Sequence, residues 1–113
     1  MLSDAQLREG ISILRRIESE IMELHGPTDA RSEGACNSAH MWEAALNSRL
    51  EVRRLGAEME RTLINGNFHA ALAAQIKNEK RIIKLIGEAK YCESWVADCY
   101  PELFNRVMSE INK

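Results

Sequence analysis

Aromatic residues, prolines and glycines are all scarce in this chain, and each scarcity excludes a class of protein. Aromatic residues make up 5% of the 113 residues, and the chain has two prolines and six glycines. A β-sandwich needs a turn signal about every 8–12 residues, which so few turn-forming residues cannot supply. At the same time 45% of the residues are hydrophobic, which is too many for a disordered chain. The sequence therefore predicts one small all-α domain over residues 1–113.

Long apolar runs and metal-binding patterns are also missing. No apolar run reaches the roughly 18 residues of a membrane span, and no basic segment followed by an apolar one opens the chain. We therefore expect a cytoplasmic protein without a membrane contact. The three cysteines and three histidines lack the spacing of a zinc site or a disulfide framework. Cys36 near His40 is the single nucleophile–base candidate, and no third group orients it. We expect no enzyme activity, no metal and no cofactor.

The first predicted element is an amphipathic helix over about residues 3–25. Ser3 and Gln6 have the spacing of a capping box, while Gly26 and Pro27 end the helix. The apolar residues recur in steps of three and four and form one stripe, which consists of Leu7, Ile11, Leu14, Ile17, Ile21 and Leu24.

A long antiparallel helical hairpin is predicted over about residues 38–98, after a loop at residues 26–38. The loop assignment rests on small, polar residues broken by glycine, with Asn37 or Ser38 capping the second helix. Asn65-Gly66-Asn67 marks the turn of the hairpin. Gly87 either ends the third helix or lies inside it, and the good helix formers that follow favour continuation. Pro101 begins a short helix over about residues 101–112.

Part of the hairpin resembles a known family. Residues 60–76 read ERTLINGNFHAALAAQI, and residues 84–88 read KLIGE. This segment, residues 60–88, resembles a helical hairpin of phage and prophage DNA-handling proteins such as small terminase subunits, and the resemblance implies a phage or mobile-element origin. Those proteins carry a short DNA-reading helix-turn-helix in front, where this chain has one long acidic amphipathic helix. No functional residue is therefore carried over.

Charge is divided unevenly along the chain. The formal net charge is −2, but residues 1–36 carry −3, residues 37–90 carry +3 and residues 91–113 carry −2. Within the basic part, Lys77, Lys80, Arg81 and Lys84 fall on one side of the third helix. Such a side is either a solvated face or a surface for an acidic protein or for phosphates.

The favoured function is non-enzymatic. We expect the protein to bind another protein and to regulate, inhibit or bridge it, as a phage accessory protein would, with the loop at 26–38 and the basic side of the hairpin as contacts. The alternative is a nucleic-acid-associated phage protein. In that case the phosphate contacts would be Arg53, Arg54, Lys77, Lys80, Arg81 and Lys84.

Self-association is also predicted, because a thin helical chain leaves apolar surface that one copy cannot bury. The sequence indicates a homodimer whose interface comprises Leu7, Ile11, Leu14, Ile17, Ile21 and Trp95. Trp42 and Trp95 each lie in an apolar stripe, which is typical of a core residue, although tryptophan is also enriched at protein interfaces.

Overall fold

Four α-helices account for nearly all of the described chain. The structure is a computed structural model that describes residues 1–64, 66 and 68–113. The helices are α1 (Asp4–His25), α2 (Ala30–Ile64), α3 (Phe68–Cys99) and α4 (Pro101–Ile111). These residues contain no strand, which confirms the predicted all-α fold. No helix of the described ranges is long and apolar enough to cross a membrane.

The ends of α1 lie where the local sequence signals predict them. The Ser3 hydroxyl accepts a hydrogen bond from the Gln6 N–H at 3.1 Å, and the Ser3 N–H donates to the Gln6 side chain at 2.8 Å. This reciprocal pair satisfies two N–H groups that the helix itself cannot pair. At the other end Gly26 has φ +86°, and its N–H donates to the carbonyl of Met22. A side chain would be strained in that conformation.

The predicted loop at residues 26–38 is wrong, because α2 already begins at Ala30. Asp29 caps this helix, since its carboxylate accepts the N–H of Arg31 at 2.8 Å. The small residues that resemble a loop in the sequence are packing residues instead. Ala35 and Ala39 are fully buried, and a Cβ on Gly34 would lie 2.9 Å from the ring of Tyr100.

The later boundaries agree with the sequence where the structure describes them. Gly66, between α2 and α3, has φ +80°, which suits the left-handed position after a helix. The proposed roles of residues 65 and 67 in this turn lie outside the described residues. Helix α3 continues through Gly87 to Cys99, which confirms the favoured alternative, and Pro101 occupies the first turn of α4.

Helices α2 and α3 run antiparallel, because their contacts follow opposite orders along the two helices. Gly34 lies beside Tyr100, the Trp42 indole N–H donates to the carbonyl of Glu93 at 3.1 Å, and Glu51 lies near Arg81. Trp42 is fully buried and meets the ring of Phe104 edge-on, with 6.2 Å between ring centroids. The largest fully buried side chains around it are Leu7, Leu14, Ile17, Val96 and Val107.

The molecule is long because α2 and α3 have 35 and 32 residues, and it is thin at one end because α1 and α4 cover only half of this hairpin. The described Cα atoms span 60 × 29 × 22 Å. Their radius of gyration is 18.2 Å, compared with about 13 Å for a compact domain of this length. Helices α1 and α4 pack on the half that holds Trp42, which we call the proximal half. The other half, residues 51–64 of α2 and 68–86 of α3, is the distal half and is two helices thick.

Candidate functional site

Helix α3 presents three different sides along its length. One side faces α2 and buries Ala71, Leu85, Ala89 and Val96. At 100° per residue, a second side in the distal half carries large apolar residues, and a third carries cations. We name the second side the apolar stripe, which consists of Phe68, Leu72, Ile76, Ile83 and Ile86. We name the third the lysine side, which consists of Lys77, Lys80, Arg81 and Lys84.

The lysine side is exposed and short of counter-charges. Lys77, Lys80 and Lys84 are all exposed, and none forms an ion pair within the described part of the chain. Arg81 approaches Glu51 only to 3.9 Å. Lys77 and Lys84 are seven residues apart, which is about 10 Å along the helix. The four cations therefore form one compact positive surface, as the sequence predicts for this helix.

Arg53 does not belong to that surface, and Arg54 only borders it, since Arg54 and Arg81 both contact Glu51. Both lie on α2 and already hold carboxylates of their own chain: Arg53 contacts Asp4, and Arg54 contacts Glu51 at 2.6 Å and Glu58 at 3.3 Å. Hydrogen bonds from Arg53 and then Arg49 lower the pKa of Asp4, and a hydrogen bond from Arg54 lowers the pKa of Glu51. The six predicted phosphate contacts are thus divided, and only the four on α3 share one side.

The predicted interface on α1 needs a larger correction. Leu7, Leu14 and Ile17 are buried within this chain, where α2 and α4 cover them. A second copy cannot contact them unless the core opens. The other members, Ile11, Ile21 and Trp95, are half-buried and pack against the same core. The amphipathic stripe of α1 therefore forms the core of the protomer and not a surface between protomers.

The N-terminus is held by Arg49. Its guanidinium donates to the carbonyl of Leu2 at 2.7 Å and pairs with Asp4 at 3.1 Å and Glu93 at 2.5 Å. The side chain is only 15% exposed. Glu93 also accepts the N–H of Leu2, so one arginine connects α1, α2 and α3. No local spacing signals this cluster, because Arg49 is more than 40 residues from each of its partners.

The segment around Cys36 shows no activated nucleophile. Arg15 contacts both Cys36 Sγ at 3.7 Å and His40 Nδ1 at 3.4 Å, and it pairs with Glu43 at 3.0 Å. A hydrogen bond to Glu18, together with burial, raises the pKa of the Cys36 thiol. The thiol is therefore kept protonated, the opposite of what a nucleophilic cysteine needs. Among the described residues, no group of His, Cys, Asp and Glu side chains has the arrangement to hold a metal ion.

Comparison of the chain with protein-family models, curated proteins and solved structures finds no match. The distal half, with its apolar stripe and its lysine side, is the candidate functional region on geometric grounds alone.

Proposed function

We propose that the protein is a non-enzymatic, cytoplasmic, homodimeric binding protein of phage or mobile-element origin, and that it regulates or inhibits an acidic protein partner. The observation that carries this proposal is the lysine side of α3. Three exposed lysines there are not paired within the described chain, whereas Arg15, Arg49 and Arg54 are paired. Unpaired charge of one sign on a rigid helix attracts a surface of the opposite sign and orients it.

A protein partner suits this surface better than nucleic acid does. Tyr91 is 64% exposed and, at two helical turns from Lys84, extends the lysine side at one end. Tyrosine beside cations is typical of protein interfaces. Four cations release few counterions from a phosphate backbone, and two nearby acidic residues, Glu79 and Glu88, reduce the positive field further.

Charge reversal tests the protein-binding proposal. The test variant changes Lys77 and Lys84 to Glu and leaves Lys80 unchanged. The control variant reverses two other exposed cations that form no ion pair in the described ranges, Arg8 and Lys113. Both variants carry the same net charge, so only the position of the change differs. Each is used to capture proteins from a lysate of the native host, and the affinity of each captured protein is then measured in purified form.

The proposal predicts an acidic protein that binds the wild type and the control variant and loses at least tenfold in affinity for the test variant. If every captured protein binds both variants equally, the lysine side is not the binding surface. Nucleic acid is assayed separately by mobility shift of a DNA duplex at low salt. A shift that the test variant abolishes and the control retains would replace the protein partner with a nucleic acid.

A further inference from the structure

The apolar stripe is unusually exposed for a soluble helix. Its five residues are 72%, 45%, 51%, 71% and 41% exposed, in the order Phe68, Leu72, Ile76, Ile83 and Ile86. They follow one side of α3 over 18 residues, or about 27 Å. Scattered surface hydrophobic residues are ordinary, but a continuous row of this size marks a surface that another chain covers.

The same side of α3 is partly covered by its own chain farther along. Beyond the stripe it continues through Lys90, Glu93 and Ala97, which line open cavities together with Met1 and Phe104. The N–H of Leu2 donates to Glu93 at 2.5 Å. Ile86, the last residue of the stripe, and Met1 line one shallow cavity, so the N-terminal segment reaches α3 only as far as the stripe. One continuous side of α3 is thus partly covered in the proximal half, where Glu93 and Ala97 are half-buried, and uncovered in the distal half.

We infer that a second copy of this chain covers the apolar stripe, with the two distal halves packed face to face and antiparallel; this rests on the homodimer proposed above and names its interface. The start of α1 lies beside the end of the stripe, because Asp4 and Ile86 line the same cavity, and this restricts the arrangement. A parallel second copy would place its own α1 against the first α1. In an antiparallel arrangement the two distal halves pack against each other, and the two proximal halves lie at opposite ends of the dimer.

The charge pattern of the stripe also favours the antiparallel arrangement. Glu79 lies within the stripe, accepts a hydrogen bond from Gln75 at 3.1 Å and forms no ion pair within the described residues. A parallel pair of α3 helices in register would place Glu79 beside its own copy. An antiparallel pair centred on residues 79 and 80 brings Glu79 of each copy near Lys80 of the other, which is attractive.

The apolar residues have the symmetry that such a pairing needs. Ile76 and Ile83 are each three and a half residues from the midpoint between Glu79 and Lys80, and Leu72 and Ile86 are seven and a half and six and a half residues from it. A two-fold axis between Glu79 and Lys80 therefore brings Ile76 of one copy onto Ile83 of the other, as a self-complementary interface requires.

The covered area is sufficient for a specific dimer. A face about 27 Å long and two helices, or about 20 Å, wide measures roughly 550 Å² per copy. The total of about 1,100 Å² passes the threshold of about 1,000 Å² for a specific interface. Lys77, Arg81 and Lys84 lie about 120° or more around α3 from the centre of the stripe and stay open in the dimer. Lys80 borders the interface and pairs with Glu79 of the second copy, so the surface left for another partner consists of the other three cations.

Light scattering coupled to gel filtration tests the interface with a matched pair of variants. Ile83→Glu and Leu24→Glu change residues that are 71% and 78% exposed, so neither change disturbs the core. We expect the wild type and Leu24→Glu to have twice the chain mass of 12.8 kDa at micromolar concentration, and Ile83→Glu to have the single mass. Circular dichroism checks that both variants keep the helix content of the wild type.

The possible outcomes distinguish the claim that the protein is a dimer from the claim that the apolar stripe is its interface. A wild type that stays at the single mass refutes both, while binding through the lysine side is assayed separately. If Ile83→Glu stays dimeric, the dimer stands but the apolar stripe is not its interface. Small-angle scattering then tests the orientation, because antiparallel overlap of two 60 Å molecules over about 27 Å gives a maximum dimension of about 90 Å. A dimer of about 60 Å would be parallel and would overturn the arrangement.

Discussion

Replacing Gly10 with alanine tests one of the closest approaches between two helices in the protein. A Cβ at this position would lie 2.2 Å from Cζ3 and 2.8 Å from Cε3 of Trp42. Carbon atoms in favourable contact are about 3.5–4.0 Å apart. Trp42 is fully buried and its indole N–H donates to the carbonyl of Glu93, so the ring cannot move aside without losing that hydrogen bond.

The magnitude follows from two opposing effects. Overpacking a core costs about 1–3 kcal/mol, and a clash this severe is at the upper end of that range. Alanine in place of glycine inside a helix gains about 1 kcal/mol. We therefore expect Gly10→Ala to lower the free energy of unfolding by about 2 kcal/mol and the melting temperature by roughly 8 °C. Urea and thermal unfolding, followed by circular dichroism at 222 nm, measure both values.

A second glycine provides the control. Gly87 is exposed inside α3, and a Cβ there would meet nothing within 4 Å, so Gly87→Ala should stabilise the protein by about 1 kcal/mol. In a Trp42→Phe background the smaller ring makes room, and Gly10→Ala should cost less than it does with Trp42 present. If Gly10→Ala is as stabilising as Gly87→Ala, Trp42 does not pack on Gly10 and the description of the core is wrong.

Three further substitutions test individual contacts. Ser38 is fully buried, and its hydroxyl has no hydrogen-bond partner among the described residues, so Ser38→Ala should raise the free energy of unfolding by up to about 1 kcal/mol in urea titrations. Arg49→Met leaves the half-buried Glu93 without its cation and should cost about 3 kcal/mol in the same assay, with equal stability refuting the role of this cluster. Arg31 lowers the pKa of Asp29 from 3.8 to about 2, so the charged carboxylate stabilises the fold above pH 3.8 and this contribution is lost as the pH falls through about 2. Asp29→Asn should remove that part of the acid dependence in thermal melts, and an unchanged dependence would contradict the assignment.

Local signals in the sequence were sufficient for most helix ends. The Ser3–Gln6 capping box, the left-handed Gly26 and Gly66, and Pro101 each act through neighbouring backbone groups, so a few residues specify the boundary. Local signals do not predict the helix at residues 30–38, because the same small side chains are common both in loops and in close contacts between helices. Only the approach of Tyr100 to Gly34 shows which of the two applies.

The candidate surface, too, is predicted in part by local sequence and in part only by the tertiary structure. The periodicity of α3 predicts an apolar row and a cationic row from residues 68–86 alone. It does not show which apolar row is buried, because α1 and α3 both carry one. The tertiary structure decides this, since α1 is long enough to cover only the proximal half of the hairpin.

The sequence alone therefore determined the helical class, most helix boundaries and the composition of each helix side, since these depend on residues within a few turns of one another. The tertiary structure decided which sides are free. Burial of Leu7, Leu14 and Ile17, pairing of Arg53 and exposure of Ile83 all depend on contacts between residues that are distant in the chain. Such contacts form because a helix buries its apolar side against whichever helix lies beside it, and spacing within one helix carries no information about its neighbour.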